Sequence, residues 1–179
     1  MLMRMLILGA VLIGAGCNAG PVITHIGGGS SSAPVSLSIT GEPAFALEVA
    51  RSGVPGPMET VSGNWHLSGF YTGSSQGCRY VSIRNLGLSR TTHYSVCGGA
   101  ARERSEVAPT YPGGNDAERV RRSVMDSAWR NGQAEQQWEV YRVSSVRIGP
   151  PRSDGCATVS TLITYDGMLV RHEDERVCH

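Results

Sequence analysis

Two segments of the chain alternate apolar and polar residues around a central turn, which is typical of β-hairpins. The first runs from Cys78 to Cys97, and a two-residue turn at Gly87-Leu88 would place these two cysteines opposite each other. One face of the predicted hairpin is apolar and the other is polar, as expected for a half-buried sheet. Its apolar face carries Val81, Ile83, Thr92 and Tyr94, and its polar face carries Tyr80, Ser82, Arg84, Thr91, His93 and Ser95.

The second alternating segment runs from Cys156 to Cys178, and its Asp166-Gly167 pair is a strong hairpin turn signal. The register set by this turn places Cys156 opposite Val177, so a β-bulge is needed to align the two cysteines. The two hairpin segments share too few identical residues to establish a repeat. The face predicted to be buried carries Val159, Thr161, Ile163, Tyr165, Met168 and Val170.

One segment between the hairpins has helical periodicity. Asn115 and Glu118 have the spacing of a capping box, and Gly132 is a helix stop signal. We expect Val124 to be buried in the middle of the helix and Arg122 to face solvent. The apolar stripe consists of Ala117, Val120, Val124 and Ala128.

The rest of the chain has weaker patterns. Strands are predicted for residues 35–40, 63–72 (with a glycine bulge) and 138–148, and a polar loop for residues 97–114. Residues 44–50 fit a short helix or a strand equally well. The sequence thus predicts an α+β fold. It consists of a mostly antiparallel sheet of two cysteine-flanked hairpins plus further strands, with one amphipathic helix on its apolar face.

The N-terminus has the pattern of a secretory signal peptide. Arg4 supplies a positive charge, residues 5–13 are apolar, and Gly14, Ala15 and Gly16 are small. The apolar run is too short to span a bilayer. We therefore expect residues 1–16 to direct export and to be removed.

Small residues directly before Cys17 resemble the lipobox of bacterial lipoproteins, although Gly14 stands where that class usually has Leu. The resemblance covers residues 1–17 and implies cleavage before Cys17 and acylation of this cysteine. Ordinary signal cleavage near Gly16 or Ala19 is the alternative. The Gly/Ser run that follows predicts a flexible tether. The predicted organisation is a signal peptide at 1–16, a lipid-attachment cysteine and tether at 17–34, and one disulfide-braced domain at 35–179.

The cysteine count also fits export. Of five cysteines, Cys17 is consumed by lipidation or removed by cleavage after Ala19, which leaves an even number. Four cysteines allow three pairings. We favour one disulfide within each hairpin, and a diagonal bridge between the hairpins remains the alternative. The favoured pairs are Cys78–Cys97 and Cys156–Cys178.

Charge is balanced, with 16 basic and 15 acidic residues, and every basic residue is arginine. Since no block of like charge occurs, the sequence argues against a nucleic-acid partner. Arginines on the predicted helix fit either a solvated surface or a patch for anionic lipid headgroups or an anionic polymer. The patch residues would be Arg119, Arg121 and Arg122.

No set of residues has the spacing of a known catalytic or metal site. The acidic cluster from His172 to Glu175 fits a solvated edge strand better than a cation site. We therefore predict no catalytic residue, no metal and no cofactor. Scattered residues that could carry chemistry are better read as surface or core groups. They are His66, His93 and His172, together with Trp65, Trp129 and Trp138.

These patterns predict a non-enzymatic envelope lipoprotein. It would be lipid-anchored to a membrane facing the periplasm, with the outer membrane favoured, and would bind a protein partner in a secretion, pilus or wall-associated assembly. The alternative is an exported inhibitor or binding protein directed at a cell-wall hydrolase, and an enzyme is the third reading.

Overall fold

The computed structural model describes residues 22–25, 41–62 and 64–179, and the described residues form strands and helices in a regular order. The elements are β1 (Val22–His25), α1 (Glu42–Ser52), β2 (Pro57–Ser62), β3 (Trp65–Ser75), β4 (Cys78–Asn85), β5 (Arg90–Cys97), β6 (Ala100–Arg104), α2 (Asn115–Asn131), β7 (Gln133–Trp138), β8 (Tyr141–Ile148), β9 (Cys156–Tyr165) and β10 (Met168–Cys178).

The strands form two antiparallel sheets, one in the order β1-β2-β3-β4-β5-β6 and one in the order β10-β9-β8-β7. This confirms the α+β fold class and its mostly antiparallel character. The described residues contain two helices, however, where one was predicted. β1 lies within the segment predicted to be the tether. The strand predicted for residues 35–40 lies outside the described residues.

The two sheets belong to two units of the same topology, which the sequence alone did not reveal. Each unit is a helix followed by four antiparallel strands in sequential order, α1–β2–β3–β4–β5 in the first and α2–β7–β8–β9–β10 in the second. In both, a disulfide joins the start of the third strand to the end of the fourth. β1 and β6 extend the first sheet at its two edges.

The disulfides are Cys78–Cys97 and Cys156–Cys178, which confirms the favoured pairing. In the first hairpin every paired residue follows the predicted register, but the turn differs. The last pair is Asn85 with Arg90, so the loop has four residues instead of two. The longer loop explains why the Cα atoms of Cys78 and Cys97 lie 4.4 Å apart, a spacing typical of a non-hydrogen-bonded pair.

The second hairpin turns at Asp166-Gly167 as predicted. Both residues have positive φ angles, 45° and 72°, which a type I′ turn requires. The register shifts between Leu169 and Arg171, and this irregularity brings Cys178 opposite Cys156. The bulge inferred from the cysteine positions is therefore confirmed.

The helix α1 packs on the first sheet through Phe45 and Val49, which are fully buried with Val81 and Ile83. This contact resolves the ambiguity of residues 44–50 in favour of a helix. Gly69 allows the close approach of helix and sheet, because a Cβ atom there would lie 2.3 Å from Cγ2 of Val49.

The helix α2 packs on the second sheet through the predicted stripe, and Val124 is buried in its middle. It ends at Gly132, as predicted. The capping box prediction was wrong. Gly114 is the N-cap, Asn115 already lies in the helix, and no described side chain caps the first turn.

Two predicted strand boundaries were also wrong. The predicted strand 138–148 contains a turn at Glu139-Val140, and Glu139 takes a positive φ of 53° without any glycine to signal it. This turn puts Trp138 on the same face as Tyr141 instead of the opposite one. Within the predicted loop 97–114, Ala100–Arg104 pairs with β5 as an edge strand.

The two units contact each other through the sheet faces that point away from the helices. Phe70 packs against Leu162 and Leu169, and the backbone N–H of Leu169 donates to Oγ of Ser82 at 3.0 Å. The hairpin face predicted to be polar and solvated is therefore partly covered by the second sheet. Neither described helix is long and apolar enough to cross a membrane.

Candidate functional site

One end of the first sheet carries exposed apolar side chains. Trp65 and Leu86 are each 44% exposed and Leu88 is 63% exposed. We call this surface, formed by residues 64–65 and 86–88, the apolar tip. It surrounds an opening of about 280 Å³. The opening is lined by Asn64, Trp65, Asn85, Gly87 and Leu88.

The tip combines two neighbouring connections, the β2–β3 turn and the β4–β5 loop. The N–H of Leu86 donates to the carbonyl of His66 at 2.9 Å, which joins the two connections. Oδ1 of Asn85 accepts a hydrogen bond from the N–H of Leu88 at 3.1 Å. The loop that presents the leucines is thus held by one backbone hydrogen bond and by one to the side chain of Asn85.

Asn85 connects this loop to a buried carboxylate in the first turn of α1. Its Nδ2 donates to Oε1 of Glu42 at 3.0 Å, and Arg90 and Tyr94 also donate to Glu42. Glu42 is buried, and a buried carboxylate is stable only when it is hydrogen-bonded or paired. The geometry of the tip therefore depends on a satisfied polar network beneath it.

The electrostatics of this network favour the charged form of Glu42. Burial raises its pKa, but hydrogen bonds from Asn85 and Thr92 and the charge of Arg90 outweigh that effect and hold the pKa below its ordinary value. Burial and the nearby charge of Glu42 raise the pKa of Tyr94 to about 12. At neutral pH Glu42 is therefore ionised and Tyr94 is a neutral donor.

The corresponding end of the second unit is closed. Tyr111 packs edge-on against Trp138 and Tyr141, with ring centroids 5.5 and 5.3 Å apart. Its hydroxyl donates to the carbonyl of Ala117, and the hydroxyl of Tyr141 donates to the carbonyl of Thr110. Among the described residues the two units thus differ at this end, because an aromatic cluster covers it in the second unit, whereas Trp65 of the first unit is 44% exposed.

The predicted arginine patch is not formed as a group. Arg119 and Arg122 are exposed, but Arg121 is only 6% exposed and cannot meet an anionic partner. Its side chain extends from α2 to β10, where it pairs with Glu173 and Glu175 as well as with Glu118 of its own helix. The prediction that Arg121 belongs to an accessible patch was wrong because its position borders the apolar stripe.

This cluster explains the acidic residues near the C-terminus. Hydrogen bonds from Arg121 and Arg122 lower the pKa of Glu118 to about 2, and the hydrogen bonds that Arg121 donates to Glu118 and Glu175 raise the pKa of Arg121. On the other face of β10, Asp174 accepts from His172 at 3.0 Å. Carboxylates of this edge strand therefore hold α2 against the sheet and orient a histidine.

Two serine–histidine pairs lie between the sheets. Ser82 is 2.8 Å from Nδ1 of His93, and Ser160 is 3.1 Å from Nε2 of His172. Both serines are fully buried. Asp174 and Ser160 share the same nitrogen of His172, whereas a catalytic triad uses both ring nitrogens. The Ser82–His93 pair therefore joins β4 to β5, and the Ser160–His172 pair joins β9 to β10. Ser82 also joins the two sheets through Leu169.

The tryptophans and Cys17, which the sequence also singled out, differ in exposure or lie outside the described residues. Trp129 and Trp138 are half-buried, and only Trp65 of the tryptophans is exposed. Within the described ranges, no three His, Cys, Asp or Glu residues are grouped as metal ligands would be. Cys17 lies outside the described residues. The tip was missed, although two leucines beside the predicted turn at Gly87 were a usable signal.

Comparisons with protein-family models, with curated proteins and with solved structures found no significant match to this chain.

Proposed function

We propose that the protein is a membrane-tethered envelope lipoprotein that acts without catalysis and binds a protein partner in a cell-envelope assembly through its apolar tip. The exposed cluster of Trp65, Leu86 and Leu88 carries this proposal. Isolated apolar residues on a surface are ordinary, but three on adjacent connections are typical of an interaction site, and two of them, Trp65 and Leu88, line an opening. Tryptophan is also among the residues most enriched in interface hot spots.

The hydrogen bonds beneath the tip support the same role. Because Asn85 bonds both to the loop and to the buried Glu42, the loop is ordered before any partner arrives. A pre-ordered surface loses less conformational entropy on binding, so more of the contact energy contributes to affinity.

The cysteines support an exported location. Both disulfides close hairpins of a small domain, and structural disulfides are typical of oxidising compartments. With acylation of Cys17 and a Gly/Ser tether, the domain would stay close to a membrane while its tip reaches a partner.

A pull-down from detergent-solubilised membranes with quantitative mass spectrometry tests the proposal. We expect Trp65→Ala and Leu88→Ser to reduce capture of the specific partner by tenfold or more, since a hot-spot residue contributes about 2 kcal/mol or more. Val107→Ser is the matched control, because Val107 is 90% exposed but lies between β6 and α2. Capture that is the same for all four proteins would contradict the proposal.

A further inference from the structure

We propose that His93 makes the contact between the two units sensitive to pH, so that mild acid loosens the β9–β10 hairpin from the first sheet. A histidine side chain changes its charge between about pH 5 and pH 8, which is the range of a mildly acid switch. His93 lies among the side chains by which the first sheet meets the second unit, and it is hydrogen-bonded to a serine that also bonds the second unit.

Strand register places His93 in a row of four side chains across the first sheet. Phe70 pairs with Ser82, Ser82 pairs with His93, and His93 pairs with Arg104. Side chains of directly paired residues in antiparallel strands lie on the same face of the sheet. All four side chains therefore lie on the face that points away from α1 and toward the second unit.

The other three members of the row hold the β9–β10 hairpin. Phe70 packs against Leu169, and the backbone N–H of Leu169 donates to Oγ of Ser82 at 3.0 Å. Arg104 donates to the carbonyl of Asp166 at 2.6 Å and to its carboxylate at 2.8 Å. His93 lies between Ser82 and Arg104 in the row, so a change in its charge acts on two of the three contacts.

The direction of the hydrogen bonds determines which form of His93 fits. Oγ of Ser82 accepts from the N–H of Leu169, and the hydroxyl still has its own hydrogen to donate. Nδ1 of His93 lies 2.8 Å from this oxygen and accepts that hydrogen when the imidazole is neutral. The contact between the units therefore selects neutral His93 with its proton on Nε2.

Protonation of His93 disturbs this arrangement in two ways. Nδ1 becomes a donor, so the hydroxyl of the fully buried Ser82 loses its acceptor. The imidazolium also lies beside the guanidinium of Arg104, which is a like charge. Burial and the charge of Arg104 hold the pKa of His93 below its ordinary value of 6.5, although the charge of Glu106 acts in the opposite direction.

The sign of the pH dependence follows from this lowered pKa. The docked hairpin is fully stable above pH 6.5, and its stability falls as the pH decreases from 6.5 toward the lower pKa of docked His93. Other charged or titratable groups also face this contact from the strands around it. They are Tyr80 and Arg84 on β4, Arg104 on β6, Glu106 after β6, and Asp166, His172 and Asp174 of the second unit. Of these, His172 is the other histidine, and the experiment must separate it from His93.

Hydrogen exchange of the Leu169 amide tests the proposal, because its hydrogen bond to Ser82 crosses between the units. Protection factors remove the intrinsic effect of pH on exchange. Between pH 7.5 and pH 5.0 we expect the protection of this amide to fall at least about threefold. The limit is about 30-fold, for a histidine of ordinary pKa that stays neutral while docked. Protected amides of β4 and β5 report global unfolding and should fall less.

His93→Asn is the decisive variant, because its Oδ1 can accept from Ser82 in the place of Nδ1 but does not titrate. We expect it to keep the protection of Leu169 at pH 7.5 and to lose the decrease at pH 5.0. His66→Asn is the matched control, since His66 is exposed on β3, and it should behave like the wild type.

Three results would overturn the proposal. The first is protection of Leu169 that does not change with pH in the wild type. The second is a parallel decrease for Leu169 and the amides of β4 and β5, which would indicate global unfolding. The third is an unchanged pH dependence in His93→Asn, which would assign the effect to another group such as His172. If His93→Asn does not fold, an NMR titration of the wild-type imidazole decides, and a pKa of His93 at or above 6.5 overturns the proposal.

Discussion

Glu42 shows how one buried carboxylate can stabilise a surface that it does not itself form. It accepts a hydrogen bond from Asn85, and Asn85 in turn holds the loop of the apolar tip. Because its pKa is lowered in the folded protein, its contribution to stability is complete above the unfolded value of 4.5 and is lost as the pH falls through the folded value. We expect Glu42→Gln to cost about 1–3 kcal/mol at neutral pH.

The same substitution should also reduce the decrease in the free energy of unfolding that acidification causes. Urea unfolding at pH 7 and pH 3 measures both effects, and Glu48→Gln on the same helix is the control. An identical loss of stability on acidification in wild type and Glu42→Gln would show that Glu42 does not contribute to the pH dependence.

Gly69 is a second residue whose identity is set by its neighbours. A Cβ atom there would lie 2.3 Å from Cγ2 of Val49 and 3.0 Å from Cε1 of Phe45, so α1 would have to move away from the sheet. Overpacking of this kind costs about 1–3 kcal/mol. Chemical denaturation of Gly69→Ala should show this loss, whereas Gly113→Ala should change little. Equal midpoints for the two variants would contradict the described contact of helix and sheet.

Among the elements, the two hairpins were the best predicted, because their alternation, turn residues and cysteines agree with one another. Cys178 even predicted the bulge that aligns it with Cys156. The turn at Glu139-Val140 was missed because it has no turn-forming residue. β6 was missed because Gly98 and Gly99 before it were taken as part of a longer loop.

The attachment of α2 to its sheet gives a prediction at this scale. Removing Arg121 would leave Glu175 without its described cation and Glu173 with Arg171 alone. Both carboxylates are partly exposed, so the cost is smaller than for a fully buried pair. We expect Arg121→Ala to lower the free energy of unfolding by about 1–3 kcal/mol. Arg122→Ala should change it by less than about 0.5 kcal/mol. Thermal or urea unfolding compares them, and equal losses would refute the structural role of Arg121.

For the molecule as a whole, the fold class and disulfide pairing could be predicted from the sequence, but the two-unit organisation and the tip could not. The equivalence of the units lies in strand order and register, while residues such as Trp65 and Tyr141, each in the last pair between the first two strands of its unit, differ in identity. Sequence patterns report local structure, and the tip arises only when two separate connections meet.

Membrane attachment is a prediction for the whole chain. If Cys17 is acylated, the intact mass of the mature protein should show cleavage before Cys17 plus acyl chains. Cys17→Ser should then move the protein to the soluble fraction. Several acyl chains anchor a protein durably, whereas an N-terminus without acyl chains does not. A soluble wild-type protein that begins at or after Gly20 would refute lipidation and leave ordinary export.

Each disulfide closes a loop within its own unit, at sequence separations of 19 and 22 residues, and neither joins one unit to the other. Between the units runs the stretch from Glu106 to Thr110, where Val107 is almost fully exposed. A protease cut at Val107 would therefore give two fragments, each already cross-linked, held together only by noncovalent contacts such as Phe70 with Leu162. The chain is thus divided as in a split-protein sensor, in which two separate fragments reassemble through noncovalent contacts. The first fragment would carry the apolar tip, and the second would bind the first through the contacts between the two sheets.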